Sequence, residues 1–404
     1  MRISILSIFP QSFDSFRATA VVSRAVERGD LSFECIDIRD FAEGSYRAVD
    51  DSPYGGGPGM VMRVDTVSKA ISSVRNSKSH VVLLSPKGRR FDQDVAHRFA
   101  SLEHLVLVCG HYEGLDERVR DYVDEEISIG DYILTGGELA AQVICDSVLR
   151  LLPKSLREGS ADDESFETGL LEYPHYTHPL EFDGKRVPDV LLSGNDAQIK
   201  AWRQKQAIIE TIEHRPDLFD EMSADSIGCS GAKVILFDSC VLKIQKESKE
   251  SKRELEAMIW LKGKLPVPDV IYHCEKDGMS YILMTRLKGK MLCDPLILHN
   301  RNRLMKTAAA ALKMLWEVDI SDCPFKEEGA SDAVLSHGDF CLPNIFADNK
   351  GITGFIDLGY CTVTKKQADI DTCIESLEAN LTGRFSDGTP ESPLDRAVFL
   401  SLLQ

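Results

Sequence analysis

Long hydrophobic runs are missing from this 404-residue sequence. No stretch reaches the roughly 18 apolar residues that a membrane-spanning helix needs, so no membrane partner is expected. Cysteine pairs are missing too. The 11 cysteines are odd in number, contain no CxxC and form no Cys/His cluster of metal-ligand spacing, which argues against a disulfide framework and a zinc site and leaves small core residues in a reducing compartment. Positive charge is scarce, with 47 Lys and Arg against 64 Asp and Glu for a net charge of -17. An acidic body does not bind polyanions indiscriminately, so any nucleic-acid surface must be a local basic patch. A secretory signal is not expected either, because residues 1–9 read as a strand running straight into a helix, and a cytoplasmic protein follows.

What is present is ordinary globular composition, 43% hydrophobic and 27% charged, on a chain long enough for two or three domains. Residues 2–9, 31–38, 81–84 and 105–109 are short apolar runs of strand character. They alternate with helical periodicity from Pro10 through Val26 and near 64–74, 93–101, 116–122 and 138–152, the rhythm of an α/β domain with a parallel sheet. Ligands of such sheets sit beyond the carboxyl ends of the strands. Three turns there are candidates for one site: 83–86 (LLSP), 109–114 (CGHYEG) and 128–138 (SIGDYILTGGE). The loop 49–60, with four glycines and two prolines, reads as a shaped loop that admits a bulky ligand. A long helix is expected over 196–213, and Lys200, Arg203 and Lys205 with Lys185 and Arg186 make a basic stretch. Near 217–225 the pattern changes and a domain boundary is expected. A hairpin over 233–246, a helix at 253–262, strands at 270–273 and 280–284, a helix at 301–316 and a second hairpin around 348–351 follow.

The motifs PYGGGPGM (53–60), LLSPKG (83–88), CGHYEGLDERV (109–119), SIGDYILTGGELA (128–140), LLEYPHYTHP (170–179) and VPDVLLSGN (187–195) closely resemble bacterial tRNA (guanine-N1)-methyltransferases over residues 1–220. The resemblance implies a SPOUT-type parallel sheet with a deep trefoil knot over 1–160, followed by an interdomain loop and helical tRNA-binding segment at 161–220. It implies a homodimer, S-adenosylmethionine as cofactor and the tRNA anticodon stem-loop as partner. The reaction would be methylation of N1 of the guanosine 3′-adjacent to the anticodon, position 37. By motif position the cofactor pocket would comprise Leu83, Leu84, Ser85, Pro86, Gly110, Tyr112, Glu113, Ile129, Gly130, Asp131, Tyr132, Ile133, Leu134, Gly136 and Gly137. Neutral guanine carries a proton on N1, so a base must remove it while an arginine stabilises charge on O6. The resemblance makes the arginine Arg150. The base would be Glu164, where the family typically has aspartate, or Asp163 if the register slips by one. Arg118, Lys154, Arg157, Lys185, Lys200, Arg203 and Lys205 could meet phosphates. His178 replaces the family's usual arginine.

Residues 221–404 resemble aminoglycoside phosphotransferases, an α+β protein-kinase-like family, here in shortened form. The resemblance rests on SHGD (336–339) with Asn344, GFIDLG (354–359), Lys243, Glu254 and WLKGKLPVPDV (260–270). It implies that Asp339 orients the substrate hydroxyl, that Asn344 and Asp357 hold magnesium, and that Lys243, oriented by Glu254, grips ATP phosphates. Two departures point to ATP binding with antibiotic phosphorylation poor or lost. Residues 326–335 are all that precede the catalytic loop where the family inserts helices, and Tyr360 stands in place of an arginine.

Overall fold

The computed structural model describes residues 1–153, 164–224, 226–227, 231–326, 332–381 and 394–404. The chain forms two compact units, 1–168 and 169–404.

In the first unit five parallel strands form one sheet: β1 (Arg2–Ser7), β2 (Ser32–Asp37), β3 (Ser79–Arg90), β4 (His104–Cys109) and β5 (Glu125–Ser128). Their order is β2-β1-β4-β3-β5. β4 is buried along its whole length, as a strand covered on both faces must be. One face packs on α1 (Ala20–Glu27), α3 (Gln93–Ala100) and α4 (Glu138–Leu151), the other on α2 (Val64–Val74).

Two expectations change here, and one strand is added. The single helix from Pro10 to Val26 is broken into a 3-10 turn, a four-residue helix and α1, because Thr19 is extended (ψ 148°). The helix at 116–122 is a 3-10 turn, Glu117–Tyr122. The acidic run at 124–126 leads into an edge strand, β5, whose charges are met by Arg98 on Glu125 and Arg120 on Glu126.

At the amino end of the central strand β4, His104 is almost fully buried. Its Nε2 faces Ser4 Oγ at 2.8 Å and its Nδ1 faces Ser79 Oγ at 2.7 Å. Burial, aided by Arg2, holds its pKa below the ordinary value of about 6.5. The unfolded chain therefore takes up the proton first, so this stability is complete above the ordinary value and declines as pH falls below it. Calorimetric unfolding should show a lower midpoint at pH 5.5 than at 7.5 for the first unit, and His104→Gln should flatten that dependence.

In the second unit an antiparallel sheet contains β6 (Lys233–Leu236), β7 (Cys240–Lys246), β8 (Val270–Lys276) and β9 (Met279–Thr285), ordered β6-β7-β9-β8 with Ser226–Ile227 at the outer edge. The expected hairpin closes where Phe237 N–H donates to the Cys240 carbonyl at 2.9 Å. α5 (Asp196–His214) lays Ala207, Ile208 and Ile212 into one core with Leu170, Phe219, Ile235, Leu242, Ile244 and Leu283. The Glu213 carboxylate accepts from the Tyr272 hydroxyl at 3.0 Å and its carbonyl from Lys276 at 2.7 Å. α5 therefore belongs to the core of this antiparallel sheet. A larger core joins α6 (Lys249–Leu261), α7 (Arg301–Trp316) and α8 (Lys366–Leu381) to the hairpin β10 (Ile345–Ala347) and β11 (Ile352–Phe355).

Candidate functional site

The three turns of the first unit lie at the carboxyl ends of adjacent strands. Leu83 and Leu84 of β3 pair with Val108 and Cys109 of β4 and, on the other side, with Glu126 and Ile127 of β5. The chain then leaves the ladder at Ser85 and rejoins it at Arg89, so residues 85–88 form an excursion over the sheet edge. Gly88 permits this, since a Cβ there would lie 2.4 Å from the Glu126 carbonyl carbon. Leu83 and Leu84 are buried, Ser85 is half-buried and Pro86 is exposed.

The second and third turns are joined backbone to backbone. Gly137 N–H donates to the Gly110 carbonyl at 2.8 Å, and His111 bridges Gly136. A Cβ on Gly137 would come within 2.8 Å of the Cys109 Cα, so only glycine allows this approach. Tyr112 is left-handed at φ 60°, and Glu113 N–H donates to the Met60 carbonyl, which lays the glycine-rich loop beside this turn. Glu113, Tyr112, Asp131, Tyr132 and Ile133 are exposed. Ile129 and Leu134 are half-buried and Gly130 is buried. Half-buried apolar groups, exposed aromatic rings and the two exposed carboxylates of Glu113 and Asp131 suit a nucleoside with a cationic arm.

Arg150, in the last turn of α4, meets Glu164. Its Nη2 donates to Oε1 at 2.6 Å and to Oε2 at 2.7 Å, and this contact raises the guanidinium pKa. Asp163, Lys154 and Arg157 lie outside the described residues. Arg118 is held by Asp116 at 2.7 Å. In the second unit Arg203 stacks over Tyr173 at 4.8 Å, while Tyr176 and Trp202 lie 6.3 Å apart; Lys185, Arg186 and Lys200 are exposed.

The kinase-like residues also assemble. Lys243 Nζ donates to Glu254 at 2.7 and 2.8 Å and to Asp357 Oδ1 at 2.9 Å. Burial pushes the Lys243 pKa down, but the carboxylates of Glu254 and Asp357 outweigh it and the net shift is upward. Asn344 Nδ2 donates to the Asp339 carbonyl at 3.0 Å and to Oδ2 at 3.1 Å, which turns its amide oxygen away from Asp339. Ile356 N–H donates to the Asn344 carbonyl, tying Asn344 to the Asp357 turn. Buried Asp369 anchors the catalytic loop: it accepts from Ser336 Oγ at 2.8 Å, His337 N–H at 3.1 Å and Trp316 Nε1 at 3.1 Å. This anchoring role shows only in the packing of α8. Tyr360, at the arginine position, places its carbonyl 2.1 Å from where a Gly338 Cβ would be. Among the described residues no cluster of three or more His, Cys, Asp or Glu side chains could hold a metal ion. A magnesium at Asn344 and Asp357 would thus need phosphate oxygens to complete its shell.

The first arrangement is that of a group-transferring enzyme on an α/β scaffold, built at the carboxyl ends of a parallel sheet, while the second gathers kinase-like residues beside an antiparallel sheet. Comparison with known proteins makes the first specific. Residues 1–221, more than half of the chain, match the family model described as tRNA (Guanine-1)-methyltransferase TrmD, and the chain belongs to this family. It is 50% identical over 224 residues to the tRNA (guanine-N(1)-)-methyltransferase of Listeria innocua, covering 54% of this chain and 91% of the relative. To the protein of the same description from Mycoplasma mycoides it is 48% identical over 221 residues, covering 54% and 92%. Residues 327–394 match the model of a phosphotransferase enzyme family.

Proposed function

We propose that the chain methylates N1 of the guanosine 3′-adjacent to the tRNA anticodon, with S-adenosylmethionine held by the turns 83–86, 110–113 and 129–137. When bound, that cofactor supplies an electrophilic methyl group. Leu84, Ile129 and Leu134 offer apolar walls, the glycine-bearing turns offer peptide N–H and C=O, and Glu113 offers charge complementary to a cationic arm. Glu164 takes the N1 proton, with Asp163 the alternative, and Arg150 stabilises the charge that develops on O6. The observation that carries this reading is the Arg150–Glu164 contact, which brings cation and acceptor to one point. The basic and aromatic residues of 173–205 take the anticodon stem-loop, stacking and neutralising phosphate. A SPOUT knot and a homodimer belong to the same reading. Ile133 and Leu139, 81% and 58% exposed, with Val143 one turn beyond Leu139 on α4, supply the apolar surface such a dimer would cover.

The test is calorimetric titration with S-adenosylmethionine. Wild type binds, and Gly137→Ala, which drives a methyl into Cys109, weakens binding by roughly tenfold or more, the scale of overpacking at a contact without slack. Unchanged affinity in the variant would move the cofactor away from this turn.

A second activity is favoured by the intact Lys243–Glu254–Asp357 hub: binding of ATP with magnesium in the second unit, with phosphoryl transfer as the alternative main function and the first unit as dimerising or tRNA-binding scaffold. Saturating ATP with magnesium, at about 100 times its Kd, should add ~2.7 kcal/mol and raise a melting midpoint by several degrees. Asp357→Asn should abolish the rise, and no shift in wild type at millimolar ATP would remove nucleotide binding from the account.

A further inference from the structure

At the end of the 128–138 turn stands a carboxylate to which neither the resemblance nor the reaction gives a role. Glu138 is the first residue of α4, where the helix dipole favours negative charge, and its side chain is only 12% exposed. Oε1 accepts from Ser7 Oγ at 2.7 Å, reaching across 131 residues to the carboxyl end of β1. Ser7 Oγ accepts in turn from Phe9 N–H at 2.8 Å, and the Phe9 ring meets the His111 ring edge-on at 5.1 Å. The chain of contacts comes back on itself at Gly136. There a Cβ would lie 2.3 Å from Glu138 Oε2 and 2.4 Å from His111 Nδ1, so the two side chains flank the glycine whose backbone bridges His111. His111 Nδ1 is buried and has no hydrogen-bond partner among the described residues, and it stands 3.9 Å from Glu138 Oε2, beyond hydrogen-bond reach yet facing it.

We propose that Glu138 is a positioning residue for the cofactor: through Ser7 and His111 it holds the 110–113 turn against the 129–137 turn in the geometry that binds S-adenosylmethionine. The inference rests on the cofactor reading above. Glu138 has no part in the proton transfer proposed above, so its loss acts on cofactor affinity and not on the chemical step. A small shift closes the Glu138–His111 gap when the cofactor seats, as site contacts commonly tighten on binding. No sequence signal marks this link, because Ser7 lies in the 2–9 strand and Glu138 in the 128–138 turn, 131 residues away.

The experiment titrates the full chain with S-adenosylmethionine by calorimetry, in wild type, Glu138→Ala, Glu138→Gln and Ser7→Ala, and measures kcat and KM on tRNA beside it. Glu138→Ala should raise the cofactor Kd and KM roughly tenfold or more, the scale of one charge-assisted hydrogen bond, with kcat at saturating cofactor within about twofold. Glu138→Gln still accepts from Ser7 and should recover most of the affinity, whereas Ser7→Ala should lose part of it. If the alanine variant does not fold by circular dichroism, the Ser7→Ala and glutamine variants decide. A lowered melting point with unchanged Kd in the variants would reduce Glu138 to a structural residue and overturn the proposal. So would a loss in kcat equal to the loss in kcat/KM. Wild type that binds no S-adenosylmethionine would instead overturn the cofactor reading itself, a result distinct from either.

Discussion

Glu164→Gln lowers single-turnover methyl transfer by roughly 10²- to 10⁴-fold, the range that general-base groups contribute. The amide keeps the size of the side chain and can still accept from Arg150, so cofactor and tRNA affinities should change little while the chemical step collapses. Asp163→Asn is the control. If Glu164 is the base, this variant keeps most of the wild-type rate; if it collapses and Glu164→Gln does not, the base stands one residue earlier. The bond between Arg150 and both Glu164 oxygens favours the first outcome. Arg150→Lys should also be costly, because one ammonium cannot reproduce the planar fork that meets carboxylate and O6.

A fragment beginning at Met222 fails to fold into a stable kinase-like unit. It lacks Ile208, Ile212 and Phe219, which are buried to within 1% against β6, β7 and β9. Burying each such side chain contributes about 1.5–3 kcal/mol. Three of them together approach the whole stability of a typical domain, about 5–15 kcal/mol. The fragment also uncovers Ile235, Leu242 and Leu283 as one apolar patch, an aggregation hazard. A fragment beginning at Gly169 retains α5 and should melt cooperatively. Expression and thermal melting of the two check this, and a well-folded 222–404 fragment would show that α5 is dispensable to the second unit.

The parallel sheet was legible because 105–108 and 81–84 are unbroken valine and leucine runs, the pattern of strands covered on both faces. β5 was hidden because Glu125 and Glu126 carry charge that the pattern reads as loop; partners on α3 and on the 3-10 turn, Arg98 and Arg120, make the strand tolerable. The break at Thr19 was invisible for another reason, since apolar spacing continues across it and only the backbone departs from helix. The kinase-like hub was legible as five residues in order, and the structure brings together Lys243 with Glu254 and Asp357, and Asp339 with Asn344. What packs on α5 was not, because helical periodicity reveals an apolar face without naming its partner. The Ser7–Glu138 link is of the same kind: its two ends meet only because the carboxyl end of β1 and the start of α4 converge.

The measurement that bears most directly on the account is single-turnover transfer from labelled S-adenosylmethionine to two tRNA transcripts, identical except for guanosine or adenosine just 3′ of the anticodon. The account predicts label on N1 of the guanosine in the first and none in the second. Bound cofactor with no transfer to either transcript, or equal labelling of both, would contradict it.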